Sequence, residues 1–215
     1  MSEPPVADSK AALSNSIGNF AELVSAGTPA PGGGSVAAYC GVLAASLGQM
    51  VCSLTIGKAK YVEVEPRVTR IRSELERLTE RLRELIAEDA ASFEAVLDAY
   101  RLPKESDEQK AHRSSQIQIA LQGAVNVPLE TAQRGFDVLG LIRELADIGN
   151  VNALSDVAVG AQLAQTAIRG ASYNVWVNLD SISDREVVDR TREKMNSMIE
   201  QSRTLADQVE AKVKR

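Results

Sequence analysis

The chain has one histidine, two cysteines and few aromatic residues, which fill only 4% of its 215 positions. One histidine and two cysteines cannot build a His/Cys metal cage. Cys40 and Cys52 fall twelve residues apart on one expected helix, ~18 Å at helical rise, too far to pair with each other. They read as small core residues of a reducing compartment, so a cytoplasmic protein is expected. Basic side chains are also short: 24 against 29 acidic, net −5, with no basic patch, which argues against a nucleic-acid partner. No apolar run reaches the ~18 residues of a membrane span, so no membrane partner is expected. The first residues are polar and hold prolines, with no signal-peptide core. Strand patterns are missing too: no alternation outlasts Val175-Trp176-Val177.

What is present is helical. Apolar residues make up 44% and charged ones 25%, enough for a globular core drawn from Leu, Val, Ile and Ala. The reading is an all-α, single-domain bundle of about six helices over residues 1–215, with 1–9 frayed. A first amphipathic helix over 11–26 carries Leu13, Ile17, Phe20, Leu23 and Val24, and Gly27 ends it. Residues 28–34 then hold two prolines and three consecutive glycines. From about Ser35 runs a central helix of small residues, with Ala37, Ala38, Gly41, Ala44, Ala45 and Gly48 letting neighbours approach closely. Residues 63–101 form one long helix whose seam steps Val64, Val68, Ile71, Leu75, Leu78, Leu82, Leu85, the rhythm of close helix pairing. Phe93, Val96 and Tyr100 continue the stripe. Ser106 with Gln109 resembles a capping box, and Pro128 predicts a kink or break in the helix that follows. Gly149 ends that helix. A second small-residue helix over 152–177 should touch the first. Asp184 caps a last helix.

Five features bear on chemistry. Gly32, Gly33, Gly34 and Ser35 form either a plain αα corner or an anion-binding helix start with Ser35 as N-cap. The spacing is not that of a P-loop, and no strand precedes it. Lys58 and Lys60, with Tyr61, follow the central helix; they either complement its dipole, bind a substrate carboxylate or work in proton transfer. Asp89 occupies a seam position where a carboxylate is costly, so it is either ion-paired or lines a polar cavity. Asn152 and Asp156 share a helix face that Gly160 leaves open. Asn174 lies five turns beyond Asp156, ~27 Å away, too far to act on the same carbon in one subunit. A structural role is preferred for it and for Asn178. His112, among Lys110, Arg113 and Ser114, is a solvated residue with no assigned chemistry.

Seven stretches occur together and in order: TPAPGGGSVAA, VCSLTIGKAKY, EDAASF, AYRLPK, NVPLETA, GNVNALSDVAVGAQLA and GASYNVWVNL. In this the chain resembles the cyclodeaminase/cyclohydrolase family, which comprises the C-terminal domain of formiminotransferase-cyclodeaminase and stand-alone bacterial relatives, over about residues 20–184. Within the family it is more similar to the stand-alone methenyltetrahydrofolate cyclohydrolase branch. It departs at Ala59, where the family commonly has the middle of three lysines. The resemblance implies an all-α homodimer acting on a tetrahydrofolate derivative, with no metal and no cofactor beyond the folate substrate. It implies Asp89, Asp156 and Lys58 as the groups that move protons. Gly32, Gly33, Gly34, Ser35, Lys60, Tyr61 and Asn152 would hold substrate. Formiminotetrahydrofolate cyclodeamination is the alternative activity. A non-catalytic helical interaction module is the alternative class, against which the seam carboxylate and the Gly-Lys cluster argue.

Overall fold

A helix with no charged side chain forms the axis of the molecule. In the computed structural model, which describes residues 17–214, six helices and no strands are found among the described residues. They are α1 (Ile17–Ser25), α2 (Gly33–Thr55), α3 (Glu65–Arg101), α4 (Asp107–Ile148), α5 (Leu154–Leu179) and α6 (Arg185–Val213). Short 3₁₀ turns, Ala59–Tyr61 and Val151–Ala153, precede α3 and α5. Residues 1–16 lie outside the described ones, so the fraying expected of 1–9 and the first part of the expected 11–26 helix fall there.

Small residues on α2 set how closely its neighbours approach. A methyl group on Gly41 would meet Leu82 of α3 at 3.0 Å, and one on Gly48 would meet Leu75 at 2.7 Å. Gly160 and Gly170 of α5 lie against Ala44 and Ala37, so the two small-residue helices touch as expected. These pairs also fix direction: α3 and α5 both run antiparallel to α2. The α3 seam from Val68 to Leu85 is buried and meets α2 and α4. Outside the seam, the Arg67–Glu144 and Arg81–Glu130 ion pairs tie α3 to α4. Helix α6 adds Met195, Met198 and Val209 to the core and is capped by Asp184, which accepts from the Glu186 and Val187 N–H groups. The Ser106–Gln109 capping box opens α4.

The structure corrects three expectations. First, of the kink or break expected at Pro128, the break does not occur: α4 is continuous over 42 residues. Pro128 offers no N–H to the Ala124 carbonyl, but Asn178 Nδ2 of α5 donates to that oxygen at 2.7 Å. The broken ladder is completed from another helix, and the structural role expected of Asn178 is this one. Second, of the stripe Phe93, Val96 and Tyr100 on α3, Val96 packs against the core but Phe93 and Tyr100 are exposed. Third, α2 is, by length and composition, apolar enough to cross a membrane, contrary to the expectation that no run is. Here it carries twelve buried residues inside the bundle, as a core helix does.

Candidate active site

The glycine triplet both starts α2 and leaves room beside its first turn. The N-cap of α2 is Gly32, in extended conformation, and no side chain caps the helix. Ser35 is therefore the third helical residue and not the N-cap, which corrects the sequence reading. It is fully buried, and its Oγ lies 2.9 Å from Asp89 Oδ2 and 3.3 Å from the Ile86 carbonyl oxygen. The Ser35 backbone N–H also favours the charged form of the Asp89 carboxyl. The anion at the start of α2 is thus the protein's own carboxylate, delivered from α3. First-turn N–H groups have no intrahelical acceptor, so they suit this role.

Gly34 is required for that approach. A methyl group there would overlap Asp89 Oδ1 and lie 2.6 Å from Cγ. Asp89 is half-buried. Burial pushes its carboxyl above the ordinary 3.8, and the Ser35 hydroxyl and N–H partly offset that push. No charged side chain offsets it further: Asp89 has no salt bridge among the described residues, so the ion-pair alternative drops out. Gly33 is exposed, and Asn174 Nδ2 stands 3.7 Å from where its Cβ would be. Nδ2 itself donates to the Gly170 carbonyl at 3.0 Å, so it is the Asn174 amide nitrogen that faces Gly33. The mouth of this site therefore holds Gly33, Asp89 and Asn174, with Phe93 exposed one turn past Asp89.

The other predicted residues gather at the opposite end of α2. Tyr61 accepts through its hydroxyl from the Val151 N–H at 3.1 Å. Asn150 accepts from the Asn152 N–H, and its own N–H and Nδ2 donate to Thr55 Oγ1 and the Leu54 carbonyl. These bonds clamp the turn after α2 to the turn before α5. Lys58, Lys60 and Asn152 are exposed on it, with the Lys60 ammonium 5.4 Å from the Tyr61 ring centre. Asp156 sits in the first turn of α5, half-buried.

The two groups are separated by the length of α2, which is 23 residues or ~33 Å of helix. Within one chain, Asp89 therefore cannot share a reacting carbon with Asp156 or Lys58. Ser35, being buried, does not meet a ligand directly. Asn174 lies at the Gly33 end of α5, as its five-turn spacing from Asp156 implies, and its bond to the Gly170 carbonyl fits the structural role preferred for it. Among the described residues, no group of three His, Cys, Asp or Glu side chains is placed to hold a metal ion.

Fold and site together define an all-α bundle with a held carboxylate at one end of its central helix and exposed cations at the other. The formiminotransferase-cyclodeaminase family model matches residues 16–197, and the chain belongs to that family. A methenyltetrahydrofolate cyclohydrolase of Methylorubrum extorquens is 37% identical over 198 residues, which cover 92% of this chain and 95% of that protein. The formimidoyltransferase-cyclodeaminase of Mus musculus is 34% identical over 194 residues, 90% of this chain and 36% of that longer protein. Among solved structures, a formiminotetrahydrofolate cyclodeaminase from Thermotoga maritima matches with a TM-score of 0.77 at 30% identity, covering 93% of this chain and 94% of that one.

Proposed function

We infer that the chain is a methenyltetrahydrofolate cyclohydrolase, which converts 5,10-methenyltetrahydrofolate and water to 10-formyltetrahydrofolate. The observation that carries the mechanism is the Asp89 carboxylate, half-buried and held against the first turn of α2 by Ser35. The substrate's bridging carbon is an amidinium cation. Water adds to that carbon as one of its protons passes to Asp89, giving a neutral carbinolamine. The carbon–N5 bond then breaks, its electron pair stays on N5, and N5 takes a proton from Asp89. The remaining hydroxyl proton is released as the formyl C=O forms. One water is consumed, one proton is freed and no electron changes hands, so the reaction calls for no redox cofactor. A carboxylate with a raised pKa suits both proton steps, and its negative charge favours the cationic substrate.

The enzyme works as a homodimer in the cytoplasm. Helix α2 has no charged side chain from Gly33 to Thr55 yet exposes Met50 and Leu54, and α5 exposes Val159 and Tyr173 beside it. Such a face suits burial against a second copy. A two-fold pairing that runs the two α2 helices antiparallel sets the Asp89 end of one chain beside the Lys58–Asp156 end of the other. The exposed lysines there suit the glutamate carboxylates of the folate tail, and Asn152 and Tyr61 line the same end. Light scattering should give twice the 23.1 kDa chain mass; a stable monomer at micromolar concentration would remove the dimer.

Cyclodeamination of formiminotetrahydrofolate is the second reading, favoured by the likeness to the Thermotoga maritima protein. It closes the same ring and expels ammonia. One assay separates the two. Loss of the near-ultraviolet methenyl band on adding methenyltetrahydrofolate marks the hydrolase. Appearance of that band from formiminotetrahydrofolate marks the deaminase. Neither change would leave the helical interaction module as the better description.

A further inference from the structure

We propose that Ser35 is the positioning residue of Asp89, its hydroxyl changing acceptor between the Asp89 carboxylate and the Ile86 carbonyl as Asp89 loses or gains its proton. This rests on Asp89 being the group that takes the proton from water.

The geometry supplies two acceptors for one O–H: Asp89 Oδ2 at 2.9 Å and the Ile86 oxygen at 3.3 Å. A hydroxyl donates one hydrogen bond at a time and accepts through its lone pairs. With Asp89 ionised, Ser35 donates to Oδ2. With Asp89 protonated, the carboxyl O–H donates to Ser35 Oγ, and Ser35 turns its own O–H to Ile86. Each state satisfies every group, and the change between them is a rotation about one bond. Water cannot take the place of this hydroxyl, because Ser35 has no exposed surface. Buried polar groups left unpaired are costly, so without Ser35 one of the two protonation states would be penalised.

Other charges do not perform this task. Helix α2 has none, α4 has none from Ser114 to Leu129, and α5 has none from Gly170 to Leu179. The titratable groups those helices bring are Tyr39, Cys40 and Tyr173. On α3, Glu88 is engaged by Arg81 and Glu94 is exposed. The local control of Asp89 falls to Ser35 and to the gap that Gly34 leaves.

The test is Ser35→Ala, with Ser35→Cys as a near-isosteric second variant that keeps only a weak donor. Thermal unfolding selects the folded proteins. Carbon-13 NMR of labelled aspartate follows the Asp89 carboxyl directly, assigned by its loss in Asp89→Asn. Losing the donor to the ionised form should raise the Asp89 midpoint by about one pH unit in Ser35→Ala and by less in Ser35→Cys. The acid limb of turnover should move the same way, with kcat down about tenfold and KM within about threefold. A folded Ser35→Ala or Ser35→Cys protein whose Asp89 titrates as in the wild type overturns the proposal. Should Asp89→Asn keep full turnover, the reading of Asp89 as the proton acceptor is overturned instead, whatever the titration shows.

Discussion

The two ends of α2 are built on opposite plans. At the Gly33 end, a single carboxylate is drawn inward, fitted to a glycine that leaves it room and held by a buried hydroxyl. At the Thr55 end, Thr55, Asn150 and Tyr61 bond to the backbone, while the charged groups Lys58 and Lys60 stand in solvent. Burial alters what a group does: at Asp89 it moves the protonation equilibrium. In the proposed function, the first end serves proton transfer and the second captures a charged part of the substrate. One helix with no charge of its own keeps them ~33 Å apart in each chain, so a reaction that uses both draws them from two copies.

Substitutions should separate the two ends. The largest effect is expected from Gly34→Ala, which drives a methyl group into Asp89. Turnover should fall about a hundredfold, the scale of losing a general acid–base group, with the melting temperature little changed. Equal loss of stability and activity would make Gly34 a packing residue only. The paired change Lys58→Ala and Lys60→Ala should raise KM about tenfold and leave kcat within about twofold, since it removes binding and not chemistry. A collapse of kcat in steady-state assays would instead bring the basic end into the proton transfers. Asn178→Ala touches neither end. It should cost about 1–3 kcal/mol in denaturant unfolding, the penalty of leaving the Ala124 carbonyl unpaired, with kinetics unchanged.

The sequence made the helices and the odd position of Asp89 legible, because both are local patterns. Val68 to Leu85 spell a seam, and a carboxylate in the next seam position stands out without a structure. Three consecutive glycines do not say which of them starts the helix, so Ser35 looked like a cap when its hydroxyl points to another helix. The break expected at Pro128 was sound as local physics. It failed because Asn178, fifty residues on, supplies the missing donor. The clearest gap lay in the site: Asp89, Asp156 and Lys58 each carry a plausible chemistry, but their separation follows from helix direction along α2. That direction is set by glycine contacts such as Gly41 with Leu82 and Gly160 with Ala44, which no single helix reveals.

Stability against pH gives the smallest expected effect. Hydrogen bonds from Arg81 and Arg67 hold Glu130 and Glu144 below the ordinary 4.5. Their contribution is full above that value and is lost as pH falls through their lowered folded values. Asp89 acts with the opposite sign. Its folded pKa is raised above 3.8, so the folded state binds the proton more tightly. Its contribution is present below 3.8 and is lost as pH rises through the raised value. Asp89→Asn should therefore flatten the fall in melting temperature just above pH 3.8, leaving the acid loss from the two glutamates in place. Melting curves of both proteins across that range check the sign.

The most direct measurement is turnover of methenyltetrahydrofolate by Asp89→Asn, with its fold verified by circular dichroism. The amide keeps the shape and removes both the charge and the proton-accepting function. The account predicts a folded helical protein whose kcat is lower by at least about a hundredfold. A folded Asp89→Asn protein with near wild-type turnover would contradict it and move the chemistry to the Asp156 end.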